Sequence, residues 1–187
     1  MSLRTLPTIA LLAVAVTGTP AIAAGVCDNS SLEGSYAFRV AGENLGLLDA
    51  SGAFHPFKMP APFAAVGEYT FDGNGSFTRV DYNVALGTPA FPPTSVNDQG
   101  FRTGVTGTYS VSEDCTATFT VALAATSQVV LAVALVGYGE RAFATIKSEQ
   151  VSSYSPVANT SDLPCDAGCN VAVQFTEEVV RNSTRRR

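Results

Sequence analysis

The strongest constraint on this chain is a period-two alternation of apolar and polar side chains. It recurs in short segments that end in Gly, Asn, Asp or Pro, and no stretch after the N-terminal segment sustains the 3.6-residue stripe of an amphipathic helix. In 35–40, Tyr36, Phe38 and Val40 share one face, with Ser35, Ala37 and Arg39 on the other. In 65–71, Ala65, Gly67, Tyr69 and Phe71 oppose Glu68 and Thr70. Asp72-Gly73-Asn74-Gly75 follows, and both Asp-Gly and Asn-Gly accept the positive φ of tight hairpin turns. The return strand, 76–84, reads with Val80, Tyr82 and Val84 inward and Arg79, Asp81 and Asn83 outward.

Further on, 105–111 aligns Val105, Tyr109 and Val111, turns at Ser112-Glu113-Asp114-Cys115, and returns as 116–123. There Ala117, Phe119, Val121 and Leu123 face in and Thr116, Thr118 and Thr120 face out. Segment 129–136 is apolar throughout and reads as a strand buried on both faces, a short core helix being the other solution. Two more strands are expected at 141–148 and at 170–176, where Val171, Val173 and Phe175 alternate. About eight short strands joined mostly by tight turns predict an all-β antiparallel meander, closed or nearly closed into a barrel, because closure removes unpaired edges. A two-sheet β-sandwich is the alternative.

The chain has 187 residues, 46% of them hydrophobic and 14% charged, which suits one domain with a sizeable core and excludes disorder. Residues 1–23 read as a secretory signal: Arg4 is followed by an apolar run from Ile9 to Val16, a break at Pro20, and small residues at Ala21-Ile22-Ala23 before the expected cut. The run is too short to span a bilayer. The expected organisation is a signal peptide (1–23), one β-barrel domain (24–180) and a basic tail (181–187), and the expected location is extracellular or periplasmic. Sixteen acidic and six basic residues fall in 24–180, so the body carries −10. Such a surface repels phosphate backbones and anionic lipid, which argues against nucleic-acid and membrane partners.

All four cysteines follow the signal, and an even count in an exported chain points to two disulfides. Four cysteines allow three connectivities; the favoured one joins Cys27 to Cys115 and Cys165 to Cys169. No metal is expected, since Cys-x3-Cys is not a usual zinc spacing and the chain has one His. Catalytic signatures are missing: there is no Gly-x-Ser-x-Gly elbow, no phosphate-binding Gly-Lys-Ser/Thr loop and no His-Glu-x-x-His. Glu113-Asp114 and Glu177-Glu178 read as turn and strand-end charges, because neighbours on a strand point to opposite faces.

Two connections, 41–62 and 86–103, are longer than a meander needs and carry apolar residues, among them Phe54, Phe57 and Phe91. They read either as plugs that complete the core or as a lip over a ligand cavity, since an eight-stranded barrel is just wide enough for one small ligand. His55 lies in the first and is the weak candidate for acid–base work. Candidate ligand contacts are Tyr36, Phe38, Phe54, Phe57, Tyr69, Tyr82, Phe91 and Tyr109, with the inward tyrosines serving first as core.

The motifs Leu32-Glu33-Gly34-Ser35-Tyr36-Ala37-Phe38, Phe71-Asp72-Gly73-Asn74-Gly75 and Gly107-Thr108-Tyr109-Ser110-Val111, running into Asp114-Cys115, resemble a loose group of small exported β-rich proteins of unknown function. At fold level the pattern resembles calycin or allene-oxide-cyclase-like barrels, and the resemblance implies binding of small apolar molecules, or cyclisation, inside a barrel. The resulting expectation is a secreted barrel that binds a small apolar ligand without a cofactor. The alternatives are a cofactor-independent isomerase or cyclase using the same cavity, and a structural or surface-interaction protein whose barrel is filled by its own side chains.

Overall fold

The structure, a computed structural model, describes residues 26–89, 96–124, 127–151, 163, 165 and 168–183. Nine strands follow one another: β1 (Glu33–Leu48), β2 (Phe54–Asp72), β3 (Ser76–Ala85), β4 (Thr88–Pro89), β5 (Arg102–Val111), β6 (Thr116–Ala124), β7 (Ser127–Val136), β8 (Arg141–Val151) and β9 (Cys169–Arg181). Neighbours in the order β2-β1-β9-β8-β7-β6-β5-β3 pair antiparallel, and β2 pairs with β3 to close the ring. The molecule is therefore a closed eight-stranded antiparallel barrel, with the short β4 added beside β3. Closure leaves each of the eight strands a partner on both sides over part of its length, and the sandwich alternative falls.

Four readings of the sequence change. The stretch 41–62 is not a loop: β1 continues to Leu48 and β2 begins at Phe54, with a bulge where the register shifts between Asn44 and Gly46. Pro56, Pro60 and Pro62 fit there because β3 pairs with β2 only over Phe63–Phe71; before Phe63, β2 is an edge, where a missing N–H is tolerated. Segment 129–136 is a strand, but only Val129, Leu131, Val133 and Leu135 are buried, and Val136 is half exposed on the outer face. Arg181 belongs to β9, not to a tail, and its Nε donates to the Tyr36 hydroxyl at 2.9 Å.

The fourth change is the face of β3. Phe71 and Phe77 are register partners across the hairpin, so both rings enter the core, and period two then sends Arg79, Asp81 and Asn83 inward with them. Val80, Tyr82 and Val84 take the other side.

The end of the barrel beside this hairpin is packed solid. The Phe71 ring lies 5.1–5.5 Å from those of Tyr36, Tyr69, Phe77, Tyr109 and Phe119, mostly edge to face. Phe77 fits because Gly107, its register partner on β5, has no Cβ to collide with its ring. The short 3-10 turn Asn29–Ser31, capped by Asp28, covers this end and brings down Leu32, which is fully buried. Tyr109 donates to the carbonyl oxygens of Asn29 and Leu32 at 3.0 and 2.9 Å, fastening the cover to β5.

Both disulfides favoured from the sequence are present. Cys27–Cys115 ties the cover to the β5–β6 turn across 88 positions, while Cys165–Cys169 spans four at the opposite end. In the chain-entropy view the longer loop stabilises by about 4–5 kcal/mol and the shorter by about 2 kcal/mol. Urea denaturation of Cys27→Ser/Cys115→Ser is expected to show a loss more than 2-fold that of Cys165→Ser/Cys169→Ser, roughly in that proportion.

Candidate functional site

At the other end, where β1 meets β2 and β8 leads to β9, the inward side chains do not meet across the ring and the barrel is not filled. A cavity of about 350 Å³ opens there, walled on its apolar side by Val40, Phe63, Val121, Val129, Leu131 and Phe175. Its polar side is formed by Arg79, Arg102, Glu177, Asn83 and Glu149. An eight-stranded ring is wide enough for side chains or for open volume, and this barrel holds side chains at one end and the cavity at the other.

The buried charges form one network. The Asp81 carboxylate, fully buried, accepts from Arg79 Nε at 2.7 Å and from Arg102 Nε and a terminal nitrogen at 2.9 and 2.7 Å. Arg79 also donates to the Tyr69 hydroxyl at 2.8 Å, and Tyr69 in turn donates to Glu177 Oε1 at 3.0 Å. The Arg79 guanidinium lies 4.3 Å from the centre of the Phe38 ring. That ring has its place because a Cβ on Gly67 would approach Phe38 Cε1 to 2.7 Å. Burial raises the Glu177 carboxyl above its ordinary range, against the opposing pull of Arg79 and the Tyr69 hydrogen bond. Burial likewise pushes the Tyr69 hydroxyl well up, so it remains a donor. Two guanidiniums facing Asp81 and Glu177 give a network that is electrically balanced when both carboxyls are ionised.

Glu149 differs. It lies on β8 beyond a register shift, lines the cavity, and makes no hydrogen bond or ion pair among the described residues. Desolvation raises its carboxyl to about 7, with no charged neighbour offsetting it. On β3, diametrically across the ring, Asn83 Oδ1 is buried and accepts no hydrogen bond among the described residues.

The residues picked out from the sequence distribute differently. Tyr36, Tyr69 and Tyr109 are core and network members in the packed half, and Phe38 is the platform beneath Arg79. Tyr82 is on the face opposite the inward Asp81 and packs on Phe101, ring centres 5.7 Å apart. Phe57 joins Leu47, Val171 and Cys165 in a second buried cluster, and Phe54 is half exposed. Phe91 lies outside the described residues. His55 is not in the cavity wall; its Nε2 is 3.4 Å from Asp49 Oδ2 at the β1–β2 turn. Asp49 is a turn former there, accepting from Ser51 and Ala53, and those bonds hold its carboxyl well below the usual range. Glu177, read as a strand-end charge, is inside the barrel, whereas Glu178 points out and pairs with Arg39 and Arg141. The signal that finds the network is the pairing of Phe71 with Phe77 across the hairpin, which fixes the parity of everything after it.

No helix among the described residues is long and apolar enough to cross a membrane, and no group of three or more His, Cys, Asp or Glu among them is placed to hold a metal ion.

Removing the shared carboxylate leaves two buried guanidiniums without their anion, so Asp81→Asn is expected to destabilise by about 3–5 kcal/mol in urea denaturation. Glu149 acts oppositely. Its folded-state affinity for a proton exceeds that of the unfolded chain, whose carboxyl titrates near 4.5, so the native state binds the extra proton between 4.5 and about 7 and loses stability as pH rises through that window. Glu149→Gln is therefore expected to stabilise by up to ~3 kcal/mol at about pH 8 and to do little at about pH 4.5, read as the difference between the two denaturation midpoints. No family model, curated protein or solved structure matches this chain, and what bears on function is the chemistry of the cavity wall.

Proposed function

We propose that the protein is an exported barrel that binds one small molecule in the cavity, with an apolar body against the valine and phenylalanine wall and a polar end toward the charged side. The observation that carries this reading is the division of the interior: one half is filled by six interlocking aromatic rings, while the other keeps about 350 Å³ between apolar walls and a few fixed polar groups. The purely apolar ligand expected from the sequence gives way to an amphipathic one, because Arg79, Arg102, Glu149 and Glu177 all border the space. The likeness to calycin-type barrels supports a binding role at the level of architecture. Export is supported by the N-terminal signal pattern and by two disulfides, which persist in oxidising compartments. No catalytic role is assigned to His55, which the turn at Asp49 engages away from the cavity.

The test is occupancy of the cavity. A neutral naphthyl dye that brightens in apolar surroundings is expected to saturate the wild-type protein at one equivalent. Val129→Phe, which places a ring in the cavity, is expected to reduce that binding at least tenfold at a stability cost of about 1–3 kcal/mol. Equal binding by the folded variant, or none by wild type, overturns the proposal.

A further inference from the structure

We infer that the ligand's polar end is a hydrogen-bond donor carrying positive charge, that is, an apolar amine whose ammonium is anchored by Glu149. This deepens the binding role proposed above and rests on it.

The polar groups in the wall differ in the bonding capacity they have left. The arginines look at first like an anion site, but their charge is already matched by Asp81 and Glu177. Arg102 gives two nitrogens to Asp81, and Arg79 gives one to Asp81 and one to Tyr69 while its face lies against Phe38. An incoming carboxylate would set a third anion beside Asp81 and Glu177, with Glu149 facing it. Outside this network, the Glu149 carboxyl pairs with nothing described, and Asn83 Oδ1 is buried without a donor among the described residues. Unmatched acceptors in a wall shielded from water are costly, so a ligand that supplies N–H donors gains where one that supplies only acceptors does not.

Charge leads to the same class. Arg79 and Arg102 are balanced by Asp81 and Glu177, so ionised Glu149 is the surplus, and it makes the cavity net negative. The strands on either side of it add no compensating cation. Inward on β7 are Val129 and Leu131, and on β9 the inward charged residue is Glu177; Arg79 and Asp81 on β3 and Arg102 on β5 are paired with one another. An ammonium at Glu149 neutralises it. The body, −9 with Arg181 counted in β9, draws cations toward the barrel in the same sense. Ammonium binding requires ionised Glu149, so affinity increases with pH until the amine itself loses its proton. Proton uptake by Glu177 at low pH would add positive charge and act in the same direction, which is why the Glu149 variant is needed to separate them.

The experiment compares octylamine, octanoate and octanol, which share one apolar chain, by calorimetry and by displacement of the naphthyl dye. Wild type is expected to bind octylamine at least tenfold more tightly than octanoate at about pH 8, and roughly 30-fold less tightly at about pH 5.5 than at pH 8, following the ionised fraction of Glu149. Glu149→Gln is expected to lose both the preference and the pH dependence while still binding the naphthyl dye in the apolar part of the cavity. Tighter binding of octanoate than of octylamine, or an amine preference that survives in Glu149→Gln, overturns the inference and leaves the cavity as a binding site. If none of the three displaces the dye and the dye binds, the amine class is wrong; if the dye does not bind either, the binding role itself fails.

Discussion

The register of the β2–β3 hairpin governs the rest of the structure. Once Phe71 stands opposite Phe77, both rings lie on the same side of the sheet, and the aromatic cluster that fills half the barrel can form. The same parity carries Arg79 and Asp81 into the interior two and four residues later, whether or not the interior favours charge. A slip of one residue would bury Val80 and Tyr82 instead, which by hydropathy alone is the cheaper solution. The hairpin turn and the stacked rings outweigh that preference, and the buried charges are then made tolerable by pairing them with one another.

That pairing is economical in atoms. One carboxylate serves two guanidiniums, one hydroxyl both receives from Arg79 and gives to Glu177, and a phenyl ring takes the flat face of the same arginine. Buried ion pairs rarely add net stability over well-packed apolar residues, yet removing one partner is severe. The network therefore acts more as a constraint on uniqueness than as a source of stability: with Arg79, Asp81 and Arg102 inside, other registers of β3 against β2 or β5 would strand charges in the core.

Much of this architecture was legible in the chain. Alternation at 35–40, 65–71, 105–111 and 116–123 fixed both the strands and their inward faces, and the turn residues at 72–75 and 112–115 placed the hairpins correctly. The cysteine count pointed to two disulfides, and of the three connectivities it left open the favoured one is present. What could not be read locally was any feature decided by a partner strand. Tyr82 alternates with charged residues and so reads as inward, and only the register with Phe71 reverses it. The prolines of 56–62 read as loop punctuation until β1 is seen to need a partner that far down and β3 is seen to end before reaching them. The candidate site was least legible, since Tyr36, Tyr69 and Tyr109 pack in the filled half of the barrel while Tyr82 faces outward and Phe57 joins a second cluster.

The proposed binding role turns on Glu149. A barrel shaped only for stability would place Gln, Leu or Thr at that position on β8, because an unpaired carboxylate facing an apolar wall costs free energy at every pH above its raised titration point. Among the described residues the other inward charges are paired: Arg79, Asp81, Arg102, Glu177 and the hydroxyl of Tyr69 are all matched within hydrogen-bond distance. The exception sits in the half of the interior that side chains leave unfilled, opposite a second acceptor that is also unmatched. Destabilising groups collected around open volume are what a site for a partner from solution would show, and they are the ground on which the proposed binding role and its ammonium ligand stand.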